Sequence, residues 1–183
     1  VLNKAVPIIR QEVFTVELYT ALENRRSIRK YNTDPIPEEK LKRILEAARI
    51  APSWKNQQCW SFIIVRDAAK KTRLADTLHK GNPAVKAIQQ AYATLVLCAD
   101  PSASGNIDGK EYYLFDAALA MQQLMLAAHA EGLGTCCVAW FDEQAAREIL
   151  NVPPQQKIVA LTPLGIPAKE GTMPPRKKLS DFV

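Results

Sequence analysis

Leu41, Ile44, Leu45 and Ala48 recur at i, i+3, i+4 and i+7 in an otherwise charged stretch, which predicts a helix with one buried face. Pro37 suits its first position, Glu38 and Glu39 favour the positive end of its dipole, and Pro52 ends it. Leu18, Ala21 and Leu22 form a shorter stripe that Asn24 stops. Asp67 is placed to cap a helix running to about His79, Pro83 to Gln90 form another, and Asp142 caps a short one over Glu143 to Leu150. Four short apolar runs read as strands: Ser61–Val65, Ala93–Ala99, Thr135–Ala139 and Lys157–Leu164. Pro163 is expected near the end of the last one, or at a sheet edge. The longest helix, Tyr112 to Glu131, spans ~30 Å. Ala117, Ala118, Ala120, Leu124, Ala127 and Ala128 give it small or aliphatic residues around much of its surface, so it is expected to be central and closely packed. Gly132-Leu133-Gly134 stops it.

The connections are as informative as the elements. Arg25-Arg26-Ser27-Ile28-Arg29-Lys30 packs four arginines and lysines and a hydroxyl around one isoleucine. If extended, it turns Arg25, Ser27 and Arg29 to one face and Arg26, Ile28 and Lys30 to the other. Two guanidiniums and a hydroxyl on one face suit a phosphorylated ligand, because the guanidinium fork pairs with phosphate oxygens; a solvated basic turn is the alternative. Ala51 to Trp60 is a loop dense in amide side chains beside two tryptophans, a composition that suits the edge of a flat heteroaromatic ring or simply satisfies loop backbone. Asp100 to Gly109 is polar and is the segment expected to be most mobile. The proline-rich tail from Gly165 needs a bound anion or a partner subunit to hold it.

Length, 183 residues, and 48% hydrophobic content fit one domain, residues 16–183, preceded by an arm or extra helix over 1–15. No apolar run is long enough to cross a bilayer, and the first residues lack the apolar stretch of a signal peptide, so no membrane association is expected. The net charge of +5 is gathered into compact clusters without interleaved aromatics, which argues against nucleic acid. Cys59, Cys98, Cys136 and Cys137 have neither disulfide nor zinc spacing and lie in apolar stretches. Buried free thiols in a reducing, cytoplasmic compartment are the expectation.

Glycine-rich dinucleotide and Walker loops are absent, as is a nucleophile elbow, and His79 and His129 are surface or helix-face residues without a triad or a metal set. Any catalysis would therefore have to come from a bound cofactor. Arg25-Arg26-Ser27-Ile28-Arg29, Ala51-Pro52-Ser53-x-x-Asn56-x-Gln58-x-Trp60, Asp116-Ala117-Ala118, Gly132-Leu133-Gly134-Thr135-Cys136, Leu164-Gly165-Ile166-Pro167 and the pair Arg176/Lys178 occur in an order that resembles the nitroreductase family. The resemblance runs from about Val16 to the C-terminus.

What this resemblance implies is an α+β nitroreductase-like fold, a central mostly antiparallel sheet flanked by helices, in a homodimer with swapped terminal segments. FMN lies at the subunit interface, with NAD(P)H as electron donor. Arg25, Arg26 and Ser27 match positions around the FMN phosphate and ribityl chain, and Arg29 matches a cation near flavin N1 and O2. Pro52, Ser53, Trp54 and Asn56 match a loop reaching the flavin from the partner chain. Cys137, Val138, Ala139 and Trp140 match the segment beside the ring and its N5, and Arg176 and Lys178 match a basic pair closing over the phosphate. No metal is implied. The implied reaction is ping-pong hydride transfer to a small electron-poor aromatic acceptor, a nitroarene or quinone. Relatives with the same fold and FMN perform dehalogenation or heterocycle oxidation, and a flavin binder without turnover is a third reading. The chain departs from the family pattern in two places. Cys59 replaces a common proline, as a packing substitute or a redox-sensitive thiol. Ala139-Trp140 replaces Gly or Glu, with Trp140 either near the ring or in the core.

Overall fold

A computed structural model describes residues 17–183; the arm or helix expected over 1–15 lies outside the described residues. The sheet is antiparallel, built from β1 (Trp60–Val65), β2 (Ala93–Ala99), β5 (Gly134–Thr135) and β6 (Lys157–Gly165) in the order β1-β2-β6-β5. Helices cover both faces. β2 is buried along its whole length, and its alternate residues point to opposite layers. Leu95, Leu97 and Ala99 pack with α2 (Glu38–Arg49) and α5 (Tyr112–Ala130). Val96 and Cys98 pack with α3 (Ala68–Asp76), α4 (Val85–Gln90) and α6 (Glu143–Leu150). The expected α+β architecture is the observed one.

Local chemistry sets several boundaries as predicted. The Asp67 carboxylate accepts from Lys70 N–H at 2.7 Å and that of Asp142 from Ala145 N–H at 3.0 Å, each satisfying an orphan donor of a first turn. α5 ends where Gly132 takes φ +76° and Leu133 N–H reaches back to Ala128 carbonyl at 2.8 Å. α3 stops three residues short of His79, because Leu78 forms a bridge to Phe141 and the Thr77 carbonyl accepts from Asp142 N–H.

The third expected strand does not form as a unit. Only β5 is strand, and the next contact with β6 is a bridge between Val138 and Leu161. In the register that joins Thr135 to Leu164 and Val138 to Leu161, Cys136 stands opposite Pro163, which has no N–H to donate. The Cys136 carbonyl thus has no donor opposite it, and Cys136 N–H donates to the Thr162 hydroxyl at 3.2 Å. Pro163 is near the end of β6, two residues before Gly165, but in an inner strand rather than at an edge, with Thr94 on its other side. The ladder opens at Cys136-Cys137, and Cys137, expected to be buried, is exposed.

Among the described residues, two apolar faces are left uncovered. α1 (Leu18–Asn24) buries Ala21 alone, while Leu18 and Leu22, expected on the same buried stripe, are 60% and 47% exposed. α5 buries one side in the core and exposes Leu114 and Phe115 on the other. The loop expected to be most mobile leads into a tight hairpin, β3 (Asn106–Ile107) and β4 (Lys110–Glu111), whose turn residues Asp108 and Gly109 both have positive φ.

Candidate functional site

The basic segment leaves α1 in extended form and lies beside β5. Ser27 bridges Thr135 in parallel, and Ile28 N–H donates to the Thr135 carbonyl at 2.9 Å. The predicted alternation is visible in the packing: Ile28 is buried, Ser27 and Arg29 are exposed, and Arg26 and Ile28 both lie against Gly171. Gly134 lets the segment approach closely, since a Cβ there would sit 2.7 Å from Ile28 Cβ.

A cleft of about 440 Å³ opens along this segment. Arg25, Arg26, Arg29, Lys30, Lys169 and Arg176 line it against one acid, Glu170, with the Ser27 hydroxyl among them. Among the described residues, Arg25, Arg29 and Arg176 have no ion-pair partner, whereas Arg43, Arg49, Arg66 and Arg147 all have one. Arg26 differs from its neighbours: its guanidinium donates to the Glu23 and Arg25 carbonyls at 2.5 and 2.9 Å, closing the end of α1. A larger cleft, about 620 Å³ between α3 and α6, carries cations and carboxylates together and has no such excess of one sign.

The single chain brings Arg25, Arg26, Ser27, Arg29 and Arg176 together and places the other candidates elsewhere. Lys178 does not line the cleft; its N–H donates to Asp181 in a turn of the tail. The opened segment after β5 carries Cys137 past the cationic cluster, close enough for Arg25 to favour its thiolate, although the surrounding bulk pushes the thiol up overall. Val138 is buried, and Ala139 and Trp140 are exposed. Trp140 does not pack in the core: it is 67% exposed and stacks on the His79 ring at 4.3 Å.

Pro52, Ser53, Trp54 and Asn56 form a separate loop with unusual backbone. Lys55, Asn56 and Gln58 have φ of +48°, +56° and +52°, left-handed conformations taken without glycine. Each costs on the order of 1 kcal/mol. The Ser53 hydroxyl accepts from Gln58 N–H at 2.9 Å, and Trp54 N–H donates to the Asp116 carboxylate at 2.8 Å. Asp116 is wholly buried and also accepts from the Ser104 hydroxyl at 2.8 Å and the Cys59 thiol at 3.7 Å. The sequence marks both this loop and the Asp116-Ala117-Ala118 motif, but not that the one anchors the other. The available signal was a lone carboxylate in an alanine-rich helix facing the core. Cys59 is buried, and burial together with Asp116 pushes its thiol up to about 11, so packing rather than redox chemistry fits it.

His129, on α5, lies behind the cluster in a cleft shared with Arg25 and Arg26. Burial, then those two guanidiniums, hold its pKa below the ordinary 6.5. The unfolded chain therefore takes up a proton that the folded chain refuses. The stability this group contributes is present above pH 6.5 and is lost as pH falls from there through the folded value. Urea unfolding at a series of pH values will show a shallower acid-side decline for His129→Gln than for the parent protein.

Among the described residues no group of His, Cys, Asp or Glu could hold a metal ion, and no helix is long and apolar enough to cross a membrane.

The model of the nitroreductase family matches residues 22–166. An NADH dehydrogenase of Thermus thermophilus is 34% identical, with 83% of this chain and 87% of that protein covered. A 5,6-dimethylbenzimidazole synthase of Rhodospirillum rubrum is 32% identical, covering 85% and 84%. Among solved structures, a nitroreductase family protein of Clostridium novyi NT has a TM-score of 0.82 at 39% identity, with 84% and 87% covered. A Desulfovibrio desulfuricans protein described as a nitroreductase, solved in complex with FMN, has a TM-score of 0.79 at 27% identity, covering 91% and 94%. Matched over most of its length by the family model, and at more than 30% identity by these relatives, the chain belongs to the nitroreductase family.

Proposed function

We propose that the protein is an FMN-dependent oxidoreductase that works as a homodimer, taking reducing equivalents from NAD(P)H and passing them to a small electron-poor acceptor such as a nitroarene or quinone. The observation that carries this reading is the cleft with Arg25, Arg29 and Arg176 unpaired among the described residues and a serine hydroxyl between them. Unpaired guanidiniums converging on one space match a phosphate dianion, and charge-assisted bonds of this kind are about twice as strong as neutral ones. The FMN complex of the Desulfovibrio relative supports the choice of ligand.

Bound FMN supplies the chemistry of accepting and releasing hydride. The chain's own residues bind and orient it. Arg25, Ser27 and Arg176 hold the phosphate, with Lys178, two residues further along the tail, able to close over it. Arg29, two residues beyond Ser27, places positive charge toward the ring end, where it favours the anionic reduced state. The exposed apolar sides of α1 and α5 are covered by a second copy, which brings the Pro52–Asn56 loop to the other side of the ligand. To the exposed Trp140, stacked on His79, we assign the limit on acceptor size. The 32% identity to a dimethylbenzimidazole synthase supports a second reading, the same fold and FMN with a different flavin reaction.

The test is an absorption spectrum of FMN-loaded protein before and after anaerobic NADH or NADPH, followed by a nitroarene or quinone. Bleaching, with recovery on adding the acceptor, is expected. Flavin that binds but stays oxidised with both nucleotides would overturn the reductase reading, and failure to bind FMN would overturn the cofactor. Maleimide labelling of Cys137 provides an independent check: it should proceed in the apoprotein and be blocked by FMN.

A further inference from the structure

Asp116 places a carboxyl group at zero exposure inside an otherwise apolar layer, and it is not paired with any cation among the described residues. Removing a carboxylate from water is costly unless donors replace the lost solvent. Here they come from three separate segments: Trp54 N–H from the amide loop, the Cys59 thiol at the start of β1, and the Ser104 hydroxyl from the connection after β2. The same two loops also meet directly, because Gly105 lies against the Trp54 indole so closely that a Cβ would be 2.7 Å from the ring. One carboxylate thus ties the Trp54 loop to α5 and to the β2–β3 connection. Immediately after the tie come the three left-handed non-glycine residues, Lys55, Asn56 and Gln58, a backbone that local sequence does not favour. Asn56 is further held by the Gln58 amide, which donates to its side-chain oxygen at 3.1 Å and to its carbonyl at 3.3 Å.

We propose that Asp116 is the positioning residue of the flavin site: it holds the Trp54–Gln58 loop in its strained form, so that the loop's amides are presented in fixed directions to the ring of the ligand. Asp116 does not touch the ligand itself. This rests on the flavin reading for the identity of the ligand, but the anchoring of the loop stands on hydrogen bonds within the chain.

The two parts separate in one set of measurements on the purified full chain. Titrations with FMN and with riboflavin, which lacks the phosphate, compare the ring end with the phosphate end. Asp116→Ala should weaken both ligands together by about tenfold or more. Asp116→Asn, whose carbonyl oxygen still accepts from Trp54 N–H, should stay within about threefold of the parent. Adding Lys55→Gly and Gln58→Gly to Asp116→Ala should recover part of the loss, since glycine adopts positive φ without strain and needs no anchor. Loss of FMN affinity alone, with riboflavin unaffected, would overturn the proposal, as would failure of the glycine pair to recover either ligand. Hydrogen exchange at the Trp54 amide needs no ligand: protection should be lost in Asp116→Ala and kept in Asp116→Asn. If the parent binds neither flavin, the cofactor reading fails while this exchange result still decides the anchor. If Asp116→Ala does not fold, Ser104→Ala takes its place, with a smaller loss shared by both flavins as the supporting result and no loss as the contrary one.

Discussion

Removing Arg25 and Arg176 together is expected to weaken FMN binding several-hundredfold while leaving riboflavin binding nearly unchanged. Each guanidinium lines the cleft without a carboxylate partner among the described residues, so its charge is available to the phosphate. A hydrogen bond to a charged group contributes about 2 kcal/mol, roughly thirtyfold in affinity. Two such contacts on one anion fall short of strict additivity because they share a partner. Arg25→Lys should lose less than Arg25→Ala but remain below the parent, since lysine keeps the charge and loses the fork. Raising salt should weaken FMN binding to the parent more steeply than to the double variant. Equal loss of FMN and riboflavin would show that the arginines shape the site without meeting the phosphate.

The second large effect is expected at Gly134. Alanine there would place a Cβ 2.7 to 2.8 Å from Ile28 Cβ, Cγ1 and Cγ2. Rotation of Ile28 cannot relieve a contact with its own Cβ, and its N–H is bonded to Thr135 in the adjoining backbone. The basic segment must move instead, carrying Arg25, Ser27 and Arg29 with it. Gly134→Ala should cost about 2 kcal/mol in urea unfolding, the usual scale of overpacking, and should lose FMN affinity out of proportion to that cost. Gly132→Ala is the control. Its φ of +76° penalises alanine, but no atom lies within 4 Å of the added Cβ. It should lower stability by about 1 kcal/mol and leave FMN binding intact.

Much of this arrangement is readable from residue order, because the signals are local. The periodic stripe of α2, the capping carboxylates of Asp67 and Asp142 and the glycine stop after α5 need no knowledge of distant partners. The alternation of Arg25, Ser27 and Arg29 against Ile28 is equally local. What escaped depends on pairing across the chain. The run Thr135–Ala139 has strand composition, but whether its ladder closes depends on which residue of β6 lies opposite, and Pro163 does. Exposure of Cys137 follows from the same register. The stripe Leu18, Ala21, Leu22 is amphipathic as read, yet most of it faces outward in the single chain. No glycine marks the left-handed backbone at Lys55, Asn56 and Gln58, and nothing near them in sequence announces Asp116, 62 residues from its Trp54 partner. The polar run after Asp100 reads as mobile because its braces, Asp116 and Trp54, are remote.

β1 pairs only with β2, so among the described residues its other edge has no strand beside it. Its sequence, Trp60 to Val65, contains no charge, proline or glycine, and Arg66 is the first charged residue after it. Short uncharged apolar strands with a free edge are templates for intermolecular pairing once surrounding structure loosens. Heating is therefore expected to end in precipitate, with a midpoint that depends on scan rate and protein concentration. Variants weakened in the core will show this as poor yield before any loss of ligand affinity can be read.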